Sequence, residues 1–175
     1  MNKSLDKEKA IVTHESGGPR DQAVPFYETT TPGGYIGWGK TTTLGASLGF
    51  AMGAKLAQPD KIVVNILGDA GIGMAGIDFE TAVRERIPIL SIVLNNSIFG
   101  GYAKTLPIAA ERYSIDRTSG HYAKFAEAFG FHAERIEQPD EVAPALERAK
   151  SVVAAGRPAF IEYITRVDTD FSKYE

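Results

Sequence analysis

The sequence predicts an α/β fold, a three-layer α/β/α sandwich around a mostly parallel sheet. Apolar runs alternate along the chain with segments of helical periodicity, an order typical of helices packed on both faces of a sheet. Two runs, 61–67 and 87–94, are apolar at consecutive positions, as expected for central parallel strands covered on both faces. The chain has 175 residues and no internal repeat, so we expect one domain, 1–175.

Local patterns predict the individual elements. The predicted strands, each an apolar run, are 10–15, 61–67, 87–96, 132–136 and 158–165. The predicted helices, each with apolar residues at helical spacing, are 43–57, 75–86, 121–129 and 139–154. Two segments lack both patterns: a loop rich in Pro, Gly and Thr at 27–40, and an irregular stretch at 97–120.

The composition excludes several classes of function. The net charge is −3 with no long basic run, so we expect no nucleic-acid partner. No apolar stretch approaches the roughly 18–20 residues of a membrane span, and the first residues lack the apolar core of a secretory signal. The absence of cysteine excludes disulfides and thiolate metal sites and fits a cytoplasmic protein.

A phosphate-loop pattern begins at Gly34 and ends in Gly39-Lys40-Thr41, which raises the alternative of a nucleotide-binding protein that uses 34–41. A phosphate loop leaves a buried strand directly, so that its amides converge at the start of the next helix. Here the preceding residues, 25–33, contain no apolar run. We therefore expect a glycine-rich loop rather than a triphosphate site.

Polar residues that oxygen-seeking metals use follow two apolar strands. Asp69 follows strand 61–67, and Asn96 ends strand 87–96. One crossover helix separates the two positions, so both should emerge at the same edge of the sheet. Alone, the Asp would be read as a helix cap and the Asn as a turn residue. Together, with glycines between them, they favour a metal site that the main-chain carbonyl of Ile98 would complete.

The predicted ligand set implies a diphosphate. Mg²⁺ prefers six oxygens and usually takes several of them from substrate phosphates and water. Glycines at 68, 71 and 73 would let main-chain amides approach those phosphates, at the start of a helix predicted near Ala75.

The segment GDAGIGMAGIDFETAVRERIPILSIVLNN, residues 68–96, resembles the thiamine diphosphate signature of Gly-Asp-Gly or Gly-Asp-Ala followed by Asn-Asn. The chain is most similar to the C-terminal diphosphate-binding domain of acetolactate synthase-like enzymes. Segments 43–69, 122–131 and 156–165 are also similar to that group. The resemblance implies the thiamine diphosphate-binding fold, with thiamine diphosphate and Mg²⁺ as cofactors.

The resemblance also implies roles for individual residues. Asp69, Asn96 and the main chain of Ile98 match the metal ligands. Leu44 matches the apolar residue that wedges between the two cofactor rings, and the carbonyl of Thr42 would meet the 4′-amino group. The implied cofactor-binding residues are Gly17, Gly18, Thr42, Leu44, Gly68, Asp69, Ala70, Gly71, Asn96, Ile98, Phe99 and Gly100.

The implied activity is cleavage or formation of a C–C bond on a small 2-oxo acid. In the family a glutamate on a pyrimidine-binding domain activates the cofactor, and we expect that domain to be absent from this chain. Glu15 and Glu28 are expected at the surface rather than in that role. His14 is near the cofactor by position and could reach a substrate, but a surface or capping role is expected for it. The chain should therefore be inactive alone and act in a homo- or hetero-oligomer with a partner that supplies the glutamate. A non-catalytic dimerisation module of the same fold is the other alternative.

Overall fold

The computed structural model describes residues 1–37 and 43–167. The described strands are β1 (Ala10–His14), β2 (Tyr35–Ile36), β3 (Ile62–Gly68), β4 (Leu90–Asn95), β5 (His132–Ile136) and β6 (Ala159–Ile164). They form one sheet in the order β2-β1-β3-β4-β6-β5, and every neighbouring pair is parallel. The helices are α1 (Gly18–Ala23), α2 (Ala46–Ala57), α3 (Asp69–Ala75), α4 (Phe79–Arg84), α5 (Tyr102–Thr105), α6 (Pro107–Tyr113), α7 (Tyr122–Phe129) and α8 (Val142–Ala154).

Helices cover both faces of this sheet, so the predicted three-layer α/β architecture is confirmed. Successive side chains of a strand point to opposite faces. In β3, Val64 and Ile66 join the cluster that contains α8, whereas Val63 and Leu67 join the cluster that contains α2, α4 and α7. Burial of both faces explains why β3 is apolar at consecutive positions.

The connection that follows β1 and the connection that follows β3 lead to strands on opposite sides of this β1–β3 pair. From β1 it passes through α1 to β2, and from β3 it passes through α3 and α4 to β4 on the other side. In open parallel sheets such a reversal creates a crevice at the carboxyl ends of the two strands, where ligands bind. This crevice is bordered here by residues 15–18, after β1, and by residues 68–71, at the end of β3 and the start of α3.

Several element boundaries differ from the sequence prediction. The helix predicted over 75–86 begins at Asp69 instead, because β3 turns directly into α3, and a 3₁₀ turn at 76–78 then joins α3 to α4. The helix predicted over 43–57 begins only at Ala46. The sequence does not predict α1 or β2, and α5 and α6 lie in the stretch expected to be irregular.

The longest described helix, α8, has 13 residues. No helix in the described part of the chain combines the length and the apolar character that crossing a bilayer requires.

Candidate functional site

Asp69 lies at the carboxyl end of β3, where it opens α3. The residue is 3% exposed. Its Oδ1 accepts the N–H of Ala70 at 3.0 Å, and its Oδ2 accepts the hydroxyl of Thr118 at 2.6 Å. Burial raises the pKa of Asp69, and the hydrogen bonds from Thr118 and Ala70 oppose that rise. A buried carboxylate of this kind is stabilised by a cation placed beside it.

The turn that follows β4 lies next to Asp69. β3 and β4 are neighbouring parallel strands with Gly68 opposite Leu94, so the chain leaves both strands at the same edge. Thr118 connects the two ends, because its N–H donates to the carbonyl of Ser97 at 3.2 Å while its hydroxyl donates to Asp69. The end of β3 and the 96–98 turn are therefore within reach of a single threonine.

Asn96 and Ile98 form the core of this turn. Asn96 Oδ1 accepts the N–H of Ile98 at 3.1 Å, which leaves that oxygen a second lone pair for a ligand. Ile98 lies opposite Arg117 in an antiparallel bridge, whose hydrogen bonds come from the residues on either side of it. Within residues 1–37 and 43–167, the carbonyl of Ile98 accepts no hydrogen bond and is available to a ligand.

A buried glutamate, Glu162, stabilises the same turn through a hydrogen bond with Asn95. Asn95 Oδ1 accepts the N–H of Ser97 at 3.0 Å, and Asn95 Nδ2 donates to Glu162 Oε1 at 2.7 Å. Glu162 of β6 is fully buried and also accepts the N–H of Ala123 at 2.9 Å and Arg135 Nη1 at 3.0 Å. Because Nδ2 of Asn95 donates to Glu162, the Asn95 amide is fixed with its oxygen toward the turn.

Glu15 is a second buried carboxylate in the crevice, and its expected surface location is wrong. The residue follows β1 and is 2% exposed. Its Oε1 accepts the N–H of Gly68 at 2.5 Å, and its Oε2 accepts the N–H of Gly45 at 2.7 Å. Burial raises the pKa of Glu15 to about 7; the two N–H groups oppose the rise and the charge of Asp69 adds to it. Glu28 is exposed, as expected.

The glycines between 68 and 73 differ in what surrounds them. A Cβ on Gly71 would overlap the carboxylate of Glu15. A Cβ on Gly68 would make an ordinary contact of 3.4 Å with Glu15, and one on Gly73 would meet open space. The requirement for glycine is therefore strongest at Gly71, and the cause is the packed carboxylate.

The other predicted site residues that the structure describes lie at the start of α1, just before α2 and after β4. Gly17 caps α1 with φ of 74°, and Gly18 is the first residue of that helix. Leu44 is half-buried just before α2. Phe99 and Gly100 continue the turn after β4, and Gly100 is exposed.

The phosphate-loop pattern lies partly outside the described residues, which omit Gly39, Lys40 and Thr41. The predicted contact residue Thr42 lies outside them as well. Within the described part of the pattern, Tyr35–Ile36 forms β2 and pairs with β1. In a phosphate loop these positions follow a strand and surround the phosphates. Here they form an edge strand of the sheet.

His14, expected at the surface or in a capping role, is buried with 3% exposure. Its ring stacks on that of Tyr35, with centroids 4.9 Å apart and an interplanar angle of 18°. Its Nδ1 lies 2.9 Å from the carbonyl oxygen of Glu15. A Cβ on Gly37 would overlap the imidazole, so the chain after β2 passes directly over His14.

Comparison with known proteins identifies the family that this arrangement represents. The family model described as thiamine pyrophosphate enzyme, C-terminal TPP binding domain, matches residues 16–163. The chain belongs to this family. The resemblance drawn from the 68–96 signature is therefore confirmed.

The relatives of this thiamine pyrophosphate enzyme domain are much longer proteins. An acetolactate synthase large subunit of Mycobacterium tuberculosis is 33% identical over 165 residues, which cover 93% of this chain and 29% of that protein. A 2-hydroxyacyl-CoA lyase of Oryza sativa is 35% identical over 134 residues, covering 73% of this chain and 22% of that protein. The structure of a thiamine diphosphate-dependent 4-hydroxybenzoylformate decarboxylase of Rhodococcus jostii RHA1 matches with a TM-score of 0.79 and 28% identity, covering 95% of this chain and 31% of that one. The domain thus spans less than a third of each relative.

Four residues of this edge have no role in the sequence prediction: Glu15, Asn95, Thr118 and Glu162. Glu15 carries the signal that identified Asp69, an acidic residue directly after an apolar strand. Glu162 interrupts the apolar run of β6, and a charge inside a central strand indicates a buried partner. Thr118 lies in a stretch without a local pattern, so only the folded chain reveals its contact with Asp69.

Proposed function

We propose that this thiamine pyrophosphate domain binds Mg²⁺ and thiamine diphosphate at the carboxyl ends of β3 and β4. It would serve an enzyme that decarboxylates a small 2-oxo acid, or that performs the related carboligation or lyase reaction. The observation that carries the proposal is the hydrogen bond of Thr118 to Asp69, which brings the buried carboxylate to the turn of Asn96 and Ile98.

The proposed metal ligands are the carboxylate of Asp69, Oδ1 of Asn96 and the carbonyl of Ile98. The lone pair left on Asn96 Oδ1 and the unused carbonyl of Ile98 support this set. No three His, Cys, Asp or Glu side chains gather into a metal site in the described part of the chain. Three protein oxygens of mixed type suit Mg²⁺, which takes its remaining ligands from phosphates and water.

The rest of the crevice would hold and orient the cofactor. Main-chain groups at 17–18 and 70–71 border the crevice and would approach the diphosphate, with 99–100 beside them. Leu44 would press between the two rings, and the carbonyl of Thr42 would meet the 4′-amino group. Thiamine diphosphate, when bound, supplies the nucleophilic carbon and the electron sink for the reaction at the 2-oxo group.

A partner domain or subunit would supply the glutamate that activates the cofactor. Both oxygens of Glu15 already accept main-chain N–H groups, so this buried glutamate is engaged elsewhere. Met74 and Ile77, near the end of α3, are 59% and 67% exposed. Apolar side chains exposed beside a ligand crevice support a protein contact there, and we propose that the chain works as a homo- or hetero-oligomer and is inactive alone.

Calorimetry tests the proposal directly. Thiamine diphosphate is titrated with Mg²⁺ into the folded chain, with and without a pyrimidine-binding domain taken from a full-length relative. Asp69→Ala should abolish binding, whereas Lys40→Ala should leave it within about twofold. If neither condition gives binding to the folded wild type, the proposal fails. Self-association without cofactor binding would then favour the dimerisation module, and ATP binding that Lys40→Ala abolishes would favour the phosphate-loop alternative.

A further inference from the structure

We propose that Glu15 is a positioning residue that ties the turn carrying Leu44 to the end of β3. The inference rests on the proposed function, since that function gives Leu44 its role against the cofactor. Glu15 itself would touch neither the metal nor the cofactor.

The two contacts of Glu15 join parts of the chain that are distant in sequence. Glu15 Oε2 accepts the N–H of Gly45, the residue after Leu44, at 2.7 Å. Glu15 Oε1 accepts the N–H of Gly68, the residue before Asp69, at 2.5 Å. One carboxylate therefore sets the distance between the neighbour of the proposed wedge and the neighbour of the proposed metal ligand.

Packing on the other sides of this carboxylate prevents it from moving away. Gly71 leaves room for it, since a Cβ there would occupy the same space. Gly45 has φ of 83°, and a Cβ on it would lie 2.7 Å from the Cβ of Ala75. The turn before α2 is thus held between Glu15 on one side and α3 on the other.

The geometry of the contact suits a carboxyl group with both oxygens engaged. Two N–H donors converge on this point from different segments, and a carboxylate offers an acceptor to each. A glutamine of the same shape has one acceptor oxygen, so one of the two N–H groups would face an NH₂ group. Burying a carboxylate is unfavourable, and among the described residues no Lys or Arg forms an ion pair with Glu15. A costly buried charge at this place is explained by the fixed geometry that it imposes before any ligand arrives.

NMR of the isotope-labelled full chain tests the inference without any activity measurement. In Glu15→Gln, we expect amide exchange to accelerate roughly tenfold or more at Gly45 or at Gly68, whichever N–H loses its acceptor, with a shift of both amide resonances. The Leu44 methyl resonances should also shift or broaden, because the turn that carries them is released. Glu28→Gln, a change at an exposed site, should leave all of these signals in place.

A pair of glycine substitutions provides an independent variant. Gly71→Ala would displace the Glu15 carboxylate and should reproduce the changes at Gly45 and Leu44, whereas Gly73→Ala, in open space, should not. Unchanged Leu44 methyl signals in both a folded Glu15→Gln and a folded Gly71→Ala protein would overturn the inference. Fast hydrogen exchange of the Gly45 amide in the wild type would also overturn the inference, and that measurement needs no variant.

Cofactor titration separates this inference from the proposed function. With Mg²⁺ and thiamine diphosphate, Glu15→Gln should bind roughly tenfold more weakly than Glu28→Gln. If the wild type binds no thiamine diphosphate, the proposed function fails, while the Leu44 signals still decide whether Glu15 positions the turn. If the wild type binds and Glu15→Gln binds equally well, the positioning role fails and the proposed function stands.

Discussion

The hydroxyl of Thr118 donates a 2.6 Å hydrogen bond to Oδ2 of Asp69, a residue 49 positions earlier in the chain. The N–H of the same threonine donates to Ser97, in the turn after β4. The loop after α6 therefore fastens together the two strand ends that carry the proposed metal ligands. Neither contact has a signal in the local sequence, yet both are at the centre of the candidate site.

Removing this hydroxyl should destabilise the protein. Thr118→Val keeps the shape of the side chain and deletes the hydrogen bond to a buried carboxylate, so we expect the free energy of unfolding to fall by about 1.5–3 kcal/mol. Urea denaturation at pH 7 with a chelator present measures the loss. Ser119→Ala, at the exposed neighbouring position, is the control and should change stability by less than about 0.5 kcal/mol. Equal stability of the two variants would show that Thr118 does not hold Asp69 in solution.

Stability should decrease as the pH rises from about 4.5 to 7 because of Glu15. Its pKa in the folded protein is about 7, above the value of about 4.3 expected in the unfolded chain. Between these values the folded state binds more protons, so the free energy of unfolding falls with rising pH, and the full loss, on the order of 3 kcal/mol, is reached above pH 7. Below the unfolded pKa the loss is absent.

The pKa of Asp69 is also raised, so the Glu15 effect must be isolated by difference. Urea denaturation of the wild type and of Glu15→Gln at each pH gives that difference. Stability of the wild type relative to Glu15→Gln should fall through this pH window. The stability difference between the wild type and the exposed variant Glu28→Gln should not fall between pH 4.5 and 7. A wild-type minus Glu15→Gln difference that stays constant from pH 4.5 to 7 would mean that the pKa of Glu15 is not raised.

Glu162 and Glu137 offer a matched test of the buried network, because both accept a hydrogen bond from Arg135. Glu162 is fully buried and the Glu137 side chain is 59% exposed. Glu162→Gln turns an NH₂ group toward at least one of three donors, so we expect a loss of about 2–4 kcal/mol in unfolding free energy. Glu137→Gln should cost less than about 1 kcal/mol.

Glu162→Gln should also loosen the turn after β4, since Glu162 orients Asn95 toward Ser97. The binding of Mn²⁺, followed by its electron paramagnetic resonance signal, should therefore weaken in Glu162→Gln and remain unchanged in Glu137→Gln. Equal Mn²⁺ affinity in the two variants would show that the buried Glu162 network does not influence metal binding at the candidate site.

The order of strands and helices follows from the sequence because apolar periodicity records which faces are buried. Strand 132–136 has the predicted bounds, and β3 and β4 lie where their continuous apolar runs indicate. The start of α3 is not predictable in this way, since the glycines between 68 and 73 have low helix propensity. The presence of glycine at 71 follows from packing instead, because Gly71 makes room for the carboxylate of Glu15.

The candidate site is predictable only where strand ends carry polar residues. Asp69 and Asn96 follow apolar strands, so the parallel sheet places them at one edge. Glu15 carries the same signal, but its burial depends on two N–H donors that are 30 and 53 residues away. Contacts of this kind arise from the folded backbone, and no local pattern records them.

A crystal structure of the protein with thiamine diphosphate and Mn²⁺ in place of Mg²⁺, together with its pyrimidine-binding partner if binding requires one, tests the central claim most directly. Anomalous scattering locates the metal without ambiguity. We predict one metal peak bonded to Asp69, Asn96 Oδ1 and the carbonyl of Ile98, at distances of about 2.0–2.3 Å, with diphosphate oxygens completing the shell. A bound cofactor whose metal lies away from Asp69 or from the turn after β4 would contradict the account.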